Sequence, residues 1–335
     1  MFYTKINNRR YLGNKYRILT FIKQIISENC GDFESFADIF AGTGAVSSAY
    51  TDKILYTNDI LYSNYLCHLT WFSDEVFDIS KVAKYINLYN SEIPFEENYM
   101  TQNFSGTYFS DKVCSKIGFI RENIENESRS DKINIRERAM LITSLLYGID
   151  KIANTCGHYD AFRKNAELPE SFTMCVPEPN ANLKHNHCFN EDTNELVKKI
   201  SADVVYIDPP YNSRQYCDAY HLIENIARWE KPEVFGIAKK MDRTALKSKY
   251  CTREAPAAFE DLIKNITAKY IVVSYNNMAK KGNDRSNARI SDSQILETLE
   301  NKGDVRTFSQ PLKAFTTGKS EHSDNEERLF ICKVK

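Results

Sequence analysis

Residues 33–59 follow a pattern that is typical of an open α/β sheet. FESFADIF is a short apolar strand, and it runs into AGTGAVSSAY, where Gly42 and Gly44 break the strand and small residues open a helix. KILYTNDI then has the length and the β-branched and aromatic content of a second strand, which ends at Asp59. This succession predicts the first half of a doubly wound α/β fold.

The regular alternation of strands and helices stops after Asp59. About 140 residues separate it from ADVVYI, the next segment with strand character, and they are polar, rich in tyrosine and mostly helical by pattern. An uninterrupted fold would reach its next strand sooner, since such connections are typically ~2–6 residues long. We therefore expect a catalytic domain formed by residues 1–61 and 201–335, and an inserted, mainly helical domain formed by residues 62–200.

The two ends of the chain complete the predicted catalytic domain. NKYRILTFIKQIISEN, near the N-terminus, places its isoleucines on one helical stripe. Towards the C-terminus, YHLIENIARWE has the spacing of a helix and AKYIVVSYNN that of a buried strand. VRTFSQPLKAF and ERLFICKVK are extended segments separated by the charged loop TTGKSEHSDNE. The sequence thus predicts a Rossmann-like, doubly wound sheet that ends in a C-terminal β-hairpin.

The charge distribution allows a polyanionic partner, although the net charge is only −1. Residues 1–30 contain six basic residues and one acidic residue, and residues 228–289 contain fourteen basic and seven acidic residues. A nearly neutral protein can therefore meet nucleic acid through locally basic regions. Basic faces that are merely solvated explain the same charges equally well.

The composition argues against several classes of protein. No apolar run approaches the ~20 residues needed to cross a bilayer, and the start lacks the apolar core of a signal peptide, so we expect a cytoplasmic protein with no membrane partner. Nine cysteines without a C-x-x-C pair fit reduced thiols better than a disulfide framework. One cluster suggests zinc but lacks ligand-type spacing, so we expect no metal. Its members are Cys156, His158, His185, His187 and Cys188.

The glycine-rich turn suggests a nucleoside pocket. DIFAGTG is not the complete dinucleotide fingerprint, but Gly42 and Gly44 let ligand atoms approach the backbone closely. Asp59, at the end of the second strand, is suited to accept hydrogen bonds from ribose hydroxyls. A nucleoside without pyrophosphate, such as S-adenosylmethionine, needs these two features and no full phosphate cradle. A tight turn beside a strand-end acid with no ligand is an equal alternative.

VVYIDPPYNSRQY ends a buried strand in an unusual way, with Asp208, Pro209, Pro210 and Tyr211. In open α/β sheets, ligands bind outside the carboxyl ends of the strands, so Asp208 and Asp59 are expected to face one crevice. The Asp208 carboxylate and a backbone carbonyl of the stiff proline turn can accept both N–H groups of a planar amino group, which favours a more nucleophilic nitrogen. Tyr211 offers a face on which a base can stack. A strand end closed by a rigid turn is the structural alternative.

The order of these segments resembles that of the D12-class, Dam-like N6-adenine DNA methyltransferases, and especially the members of type II restriction-modification systems. The similarity spans nearly the whole chain, through RRYLGNKYRIL, FADIFAGTG, YTNDI, NTCGHYDAFRK, VVYIDPPYNSRQY, YHLIENIA and IVVSYNN. In that family the cofactor-contacting N-terminal segment precedes the glycine-rich turn, and the target-recognition domain lies before DPPY. The resemblance therefore implies that the insert recognises the DNA target.

The resemblance also implies a role for each matching residue. Tyr11 and Lys15 in YLGNK would contact S-adenosylmethionine, although the family often has Trp at the first position and a second Gly where Asn14 stands. The further cofactor contacts that it implies are Asp38, Phe40, Gly42, Gly44, Asp59 and Asp208. The catalytic residues that it implies are Asp208, Pro209, Pro210 and Tyr211, which match the family tetrapeptide without departure.

The activity implied by the resemblance is methylation of the N6 amino group of an adenine that is flipped out of double-stranded DNA. S-adenosylmethionine would be the cofactor, and a cognate restriction endonuclease would act separately. No covalent enzyme intermediate is implied. Methylation of RNA adenine or of a protein glutamine is an alternative, because D-P-P-Y can serve any planar amino group. A catalytically inactive nucleic-acid-binding subunit is an alternative of another class.

The insert and the loop after the catalytic turn are the expected DNA contacts. NTCGHYDAFRK mixes aromatic and basic groups, and NSRQY places a basic residue three positions from Tyr211. The DNA-binding candidates are His158, Tyr159, Arg163, Lys164 and Arg214. Basic residues that merely solvate a helix end are the alternative for Arg163 and Lys164.

Overall fold

The computed structural model describes residues 2–9, 11–179, 184–276, 288–311 and 326–335. Within these ranges the strands are β1 (Tyr3–Thr4), β2 (Ser35–Asp38), β3 (Ile54–Asn58), β4 (Val176–Pro177), β5 (His187–Phe189), β6 (Ser201–Ile207), β7 (Thr267–Asn276), β8 (Gly303–Pro311) and β9 (Glu326–Val334). The α-helices are α1 (Leu19–Asn29), α2 (Tyr62–Phe72), α3 (Ile79–Asn90), α4 (Tyr99–Phe104), α5 (Asp111–Arg129), α6 (Ile135–Asp150), α7 (Thr193–Leu196), α8 (Tyr216–Ala219), α9 (His221–Arg228), α10 (Ala255–Asn265) and α11 (Asp292–Glu300).

The main sheet has seven strands in the order β5-β3-β2-β6-β7-β9-β8. Strand β2 pairs in parallel with β3 and β6, and β6 pairs in parallel with β7. Strand β9 runs antiparallel to both β7 and β8. The predicted α/β class with a mostly parallel central sheet is therefore confirmed. Most of the segment between β8 and β9, including nearly all of TTGKSEHSDNE, lies outside the described residues.

The middle of the sheet is formed by apolar strands, because central parallel strands are buried on both faces. Val205 on β6 pairs with Ile271 on β7, and both side chains are buried. Phe259 and Leu262 from α10, together with Leu299 from α11, pack in the same hydrophobic cluster. Burial of each such side chain stabilises the fold by ~1.5–3 kcal/mol. This core fixes β6 in place, and therefore also the position of Asp208, which directly follows β6.

The segment after β2 differs from the sequence prediction. Residues 41–50 form turns and one short 3-10 helix, Ser47–Ala49, in place of the expected α-helix. Gly42 and Gly44 have φ angles of 55° and 88°, which no right-handed helix contains. The helix prediction was wrong. It relied on the small residues, whereas the left-handed backbone of the two glycines makes a turn. The predicted N-terminal helix is confirmed from Leu19 onward, after a 3-10 turn at Lys15–Ile18.

The chain divides into two compact units. The first comprises Met1–Asn14, Leu61–Cys188 and Cys217–Ala245, and the second comprises Lys15–Ile60, Phe189–Tyr216 and Leu246–Lys335. Most of the predicted insert, residues 62–200, falls in the first unit, which also contains the N-terminal segment and α9. The role of the insert in target recognition stays a prediction.

Helices of the first unit are joined in part by hydrogen bonds of buried polar side chains. Thr70 on α2 and Thr143 on α6 share a hydrogen bond of 2.9 Å. Arg121 on α5 is fully buried; its Nε donates to Ile226 O at 2.8 Å, and its Nη2 lies 2.6 Å from Glu125 Oε1. A buried charge is tolerated when it is paired in this way.

Candidate active site

Three carboxylates lie where neighbouring strands of the sheet end. Asp38 is the last residue of β2, Asp59 follows β3, and Asp208 follows β6. Because β2 pairs in parallel with both β3 and β6, the three acids share one edge of the sheet. Burial raises the pKa of Asp38, and the negative charges of Asp208 and Asp59 add to the rise. In open α/β sheets this edge is where ligands bind.

The glycine-rich turn after β2 folds back onto the end of β3. Gly42 and Gly44 adopt left-handed backbone conformations that residues with a Cβ disfavour. Gly42 N donates to Asp59 Oδ2 at 3.0 Å, and Ala41 N donates to Asn58 O at 2.9 Å. Asp59 therefore holds the turn. A carboxylate has about four lone-pair sites, so this bond does not exhaust its capacity as an acceptor.

Asp38 is a buried carboxylate that is only partly satisfied. Its Oδ2 accepts a hydrogen bond from Ser47 Oγ at 2.8 Å, while its Oδ1 has no hydrogen-bond partner among the described residues. Burial raises the pKa of Asp38 to about 7. A buried polar atom without a partner costs ~1–3 kcal/mol, so Oδ1 marks a position where a donor from a ligand fits.

Phe40 lies just beyond Asp38 and is fixed by Tyr250. The two rings meet edge to face, with centroids 5.1 Å apart and planes at 80°. The Tyr250 hydroxyl in turn donates to Asn194 Oδ1 at 2.9 Å. Because Phe40 remains partly exposed, this arrangement offers a fixed aromatic surface close to the strand ends.

Asp208 belongs to a compact group that also contains Lys15, Tyr211, Ser274 and Glu327, and that we call the Asp208 cluster. Lys15 Nζ lies 3.0 Å from Asp208 Oδ1 and 3.3 Å from Glu327 Oε1, and it donates to Tyr211 Oη at 2.6 Å. Tyr211 Oη also contacts Asp208 Oδ1 and lies 2.6 Å from Glu327 Oε1. Ser274 Oγ donates to the same Glu327 oxygen at 2.7 Å. One ammonium group thus serves two carboxylates.

The electrostatics of the Asp208 cluster favour the uptake of a proton. Burial raises the pKa of Asp208 to about 6; Lys15 opposes this rise, whereas Glu327 adds to it. Burial lowers the pKa of Lys15, but the two carboxylates outweigh that effect and raise it, so Lys15 remains charged. One ammonium and two ionised carboxylates carry a net charge of −1, and the Glu327 side chain is only 4% exposed. Removing that charge by protonation is favourable in a poorly solvated site.

The turn from Asp208 to Tyr211 is stiffened by its two prolines and held by hydrogen bonds from residues elsewhere in the chain. Arg289 N donates to Tyr211 O at 2.8 Å, and the Tyr275 hydroxyl donates to the same oxygen at 3.2 Å. The rings of Tyr211 and Tyr275 lie 4.7 Å apart. Pro209 is buried, and the fixed φ angle of proline leaves the turn little freedom. The turn is therefore a rigid support for the Asp208 carboxylate.

A family model matches most of the chain that carries this arrangement. It describes the D12 class N6 adenine-specific DNA methyltransferases and matches residues 11–285. This range contains the glycine-rich turn, Asp59 and the tetrapeptide that begins at Asp208. The chain belongs to the D12 class of N6 adenine-specific DNA methyltransferases.

Curated relatives of this D12-class chain are modification methylases. It is 37% identical to the modification methylase StsI of Streptococcus sanguinis over 80% of this chain and 44% of the relative. It is 32% identical to the modification methylase LlaI of Lactococcus lactis subsp. lactis over 81% of this chain and 46% of the relative. It is 30% identical to the type II methyltransferase M.NlaIII of Neisseria lactamica over 94% of this chain and 95% of the relative. The chain thus spans about half the length of StsI and LlaI, and nearly all of M.NlaIII.

The two cofactor contacts predicted in YLGNK have different surroundings in this D12-class chain. Lys15 is 8% exposed and pairs with Asp208. Tyr11 belongs to the first unit, where its ring stacks on Tyr220 with centroids 4.7 Å apart and its hydroxyl accepts a hydrogen bond from Asn64 Nδ2 at 2.9 Å. Lys15 is therefore placed to orient the Asp208 carboxylate, and the cofactor roles of both residues stay predictions.

Two of the predicted DNA contacts support the fold of their own segment. Tyr159 is 2% exposed, and its hydroxyl donates to Asp150 Oδ1 at 2.8 Å. His158 is partly buried, with its Nδ1 3.6 Å from Asp160 Oδ2. A direct contact between the Tyr159 side chain and DNA would require this burial to be undone.

The basic candidates have the accessibility that a DNA contact needs. Arg163 and Lys164 are exposed, and the amide group of Asn154 bonds to the backbone N and O of Arg163, so the loop is anchored. Arg214 is exposed in the second unit, where its backbone O accepts a hydrogen bond from Cys251 Sγ at 3.3 Å. These positions suit cations that meet a phosphate backbone, and their role stays a prediction.

Sequence reasoning missed two members of the Asp208 cluster, Ser274 on β7 and Glu327 on β9. Both lie in segments that were interpreted only as strands. One signal was present for Glu327, because it lies two positions before the apolar run LFIC, in a segment with strand character where a buried acid is unusual. No local pattern links it to Asp208, so its partner was not predictable.

Among the residues that the structure describes, no group of three or more His, Cys, Asp or Glu side chains is arranged to hold a metal ion. In the described part of the chain, no helix combines the length and apolar character needed to cross a membrane.

Proposed function

We propose that this chain transfers a methyl group from S-adenosylmethionine to the N6 amino group of adenine in DNA, at specific sites. The observation that carries the proposal is the position of Asp208, which starts a rigid D-P-P-Y turn at the sheet edge shared with the glycine-rich turn and Asp59. The family supports the reaction class. Because the chain spans only about half of StsI and LlaI, the activity of those whole proteins is extended to this chain as a proposal.

The residues at the sheet edge fit S-adenosylmethionine. This cofactor, when bound, supplies an electrophilic methyl group on a positively charged sulfur. Asp59 can accept hydrogen bonds from the ribose hydroxyls, and Gly42 and Gly44 leave the backbone uncovered for close approach. Asp38 Oδ1 is a buried acceptor without a partner among the described residues, and Phe40 presents a fixed ring. A cationic ligand with hydroxyl donors satisfies this set.

Asp208 would hold the amino group that is methylated. Its carboxylate accepts one N–H, and a carbonyl of the Pro209–Pro210 turn accepts the other, which directs the nitrogen lone pair towards the methyl group. Lys15 keeps the carboxylate in place through the 3.0 Å contact with Asp208 Oδ1. Tyr211 would stack on the base. These groups must be ready before the base arrives, and the supported turn provides that preorganisation.

The target adenine would be flipped out of the duplex, since its amino nitrogen is paired inside double-stranded DNA. We assign target recognition to residues 62–200 together with the loop that contains Arg214. The exposed side chains of Arg163 and Lys164 support this assignment. A restriction-modification role, with a cognate endonuclease that acts separately, is consistent with the names of the relatives.

The proposed activity is tested with purified protein, duplex DNA and isotope-labelled S-adenosylmethionine. We expect label in N6-methyladenine after digestion to nucleosides, and single-molecule sequencing of the modified DNA should give the target site. Label in RNA adenine or in a glutamine-containing protein, with none in DNA, would support the alternative substrates. Absence of cofactor binding by calorimetry, with DNA binding retained, would support the inactive binding subunit.

Replacement of Arg163 by Ala distinguishes two kinds of DNA contact. If Arg163 binds phosphate, the variant should bind all sequences more weakly and show a salt dependence reduced by about one charge. If it reads a base, discrimination at one position of the target should fall by ~1–3 kcal/mol. Arg129→Ala, at the exposed end of α5, removes the same charge as a control. Equal binding and discrimination in both variants would show that Arg163 makes no DNA contact.

A further inference from the structure

The Asp208 cluster contains six hydrogen-bond contacts, but Lys15, Tyr211 and Ser274 together supply only five hydrogens for them. The Tyr211 hydroxyl has one hydrogen, yet its oxygen lies within hydrogen-bond distance of both Asp208 Oδ1 and Glu327 Oε1. Lys15 donates its own hydrogen to the Tyr211 oxygen. That hydrogen lies between Lys15 and Tyr211, so it cannot form a hydrogen bond between Tyr211 and either carboxylate. With both carboxylates ionised, Tyr211 can donate to only one of them. One additional proton satisfies every contact and makes the cluster neutral.

We propose that Glu327 is the second proton acceptor of the methyl-transfer site and that it receives, through the Tyr211 hydroxyl, the proton that the substrate nitrogen loses. This inference rests on the proposed function and adds a residue that lies beyond the D-P-P-Y turn. The geometry provides a continuous path in which Asp208 Oδ1, Tyr211 Oη and Glu327 Oε1 are joined by two hydrogen-bond contacts. Ser274 and Lys15 fix the end of this path by bonding to Glu327 Oε1.

Methyl transfer to the nitrogen conserves both electrons and protons along this path. The nitrogen lone pair forms the N–C bond, and the electrons of the C–S bond stay on sulfur, which becomes neutral. The methylated nitrogen then gives one N–H proton to Asp208. Asp208 passes a proton to Tyr211 Oη while the Tyr211 hydrogen moves to Glu327, so Tyr211 ends unchanged. After the product leaves, the reverse transfers return the proton to Asp208, which is 16% exposed and can release it to water.

The surroundings of Glu327 favour this role. The ionisable groups that face it are Lys15, Tyr206, Asp208 and Tyr211, with Arg328 next to it on β9. Arg328 is occupied elsewhere, since it donates to Asn276 O and pairs with Asp292. Among the described residues, Lys15 is therefore the cation that pairs with Glu327, and it is shared with Asp208. A shared cation leaves the charge of one of the two carboxylates uncompensated.

Glu327→Gln tests the proposal, because the amide keeps the size of the side chain but cannot take up the proton. We expect the single-turnover rate of methyl transfer to fall roughly 10²-fold, the lower end of a general acid–base contribution, with little change in the KM for DNA. The negative charge of Glu327 raises the pKa of Asp208. Its removal should therefore move the acid limb of the pH–rate profile to lower pH. A residue that only stabilises the fold would not move this midpoint.

Glu326→Gln is the matched control. It removes the same charge from the adjacent position of β9, and successive side chains of a strand point to opposite faces of the sheet. Its rate and pH profile should equal those of the wild type. If Glu327→Gln does not fold, Tyr211→Phe breaks the path at its middle, and it should lower the rate while both carboxylates remain.

A measurement that needs no turnover separates this proposal from the proposed function. In protein with carbon-13 in its aspartate carboxyl groups, the Asp208 signal, assigned with Asp208→Asn, can be titrated by NMR. Its midpoint should move to lower pH in Glu327→Gln and stay in place in Glu326→Gln, whatever the substrate is. An unmoved midpoint in Glu327→Gln, or a rate within twofold of the wild type, would overturn the role of Glu327. A wild type that titrates as expected but does not methylate adenine would contradict the proposed function alone.

Discussion

The two ends of strand β6 carry aspartates with nearly the same exposure and opposite electrostatics. Asp203, near the start, has a side chain that is 17% exposed, and Asp208, just after the end, has one that is 16% exposed. Burial would raise both pKa values. For Asp203, hydrogen bonds from Lys269 and from the backbone outweigh burial and lower the pKa to about 2, whereas the pKa of Asp208 is raised to about 6. Burial alone therefore does not decide the state of an acid in this sheet.

The difference lies in whether the partners are shared. Asp203 Oδ2 accepts hydrogen bonds from the backbone N of Glu34 at 2.8 Å and of Ser35 at 3.1 Å, and its Oδ1 lies 2.8 Å from Lys269 Nζ. Asp208 has a lysine at a similar distance, but that lysine and the Tyr211 hydroxyl also serve Glu327. A carboxylate with donors of its own stabilises the ionised form and the fold. A carboxylate that competes for its donors is ready to exchange a proton.

The largest effect is expected from Asp208→Ala, at the catalytic end of the strand. The variant lacks the acceptor for the substrate amino group, so methyl transfer should fall by a factor of ~10² or more, since both orientation and charge stabilisation are lost. DNA binding, measured by fluorescence anisotropy, should be largely kept. The rate is measured in single-turnover assays with labelled cofactor. Near-normal turnover by the folded variant would contradict the assignment of Asp208.

Strand β3 also has an aspartate near each end, and the two can be compared for their effect on cofactor binding. Asp59 follows β3 and bonds to Gly42 N, whereas Asp52 lies just before β3, is mostly exposed and pairs with Lys53. Asp59→Ala should weaken S-adenosylmethionine binding by ~1.5–3 kcal/mol, the value of a hydrogen bond to a charged group. Asp52→Ala should leave the affinity unchanged. Calorimetry that finds equal affinities for the two variants would remove Asp59 from the cofactor site.

Sequence patterns predicted the strand-end acids because their signals are local. Apolar runs that end at Asp59 and Asp208 identify the carboxyl ends of strands, and the fold then brings such ends to one edge. The pairing of Lys15 with Tyr211 was not predictable in this way, since the two residues are 196 positions apart in the chain. Tyr211 and Glu327 are 116 positions apart. Contacts of this kind depend on the order of the strands in the sheet, which no local pattern specifies.

The helix that was wrongly predicted after β2 teaches the opposite lesson. There the signal was local, but the small residues and the glycines of AGTGAVSSAY favour different structures. Alanine and serine are tolerated in a helix, whereas the left-handed backbone of Gly42 and Gly44 cannot be part of one, so that a regular helix could begin only after Gly44. The glycines determine the structure because the turn must return to Asp59, with which it forms a hydrogen bond.

The smallest effect is expected at the start of β6, from Asp203→Asn, and it should appear in stability while methyl transfer is unchanged. The folded-state pKa of Asp203 is lowered from 3.8 to about 2, so the ionised carboxylate stabilises the fold at pH values above 3.8. This contribution is lost as the pH falls from 3.8 through about 2, because the carboxylate is then protonated in both the folded and the unfolded state.

We expect the Asp203→Asn variant to be about 1–2 kcal/mol less stable at pH 7, a value reduced because the Lys269 partner is exposed to solvent. Urea unfolding between pH 3 and pH 7 should show the two stabilities converging towards low pH. Lys269→Met should lose less stability than Asp203→Asn, because Asp203 then keeps both of its backbone donors. A stability difference for Asp203→Asn that does not change with pH would show that the ion pair and the backbone bonds at this end contribute nothing through charge.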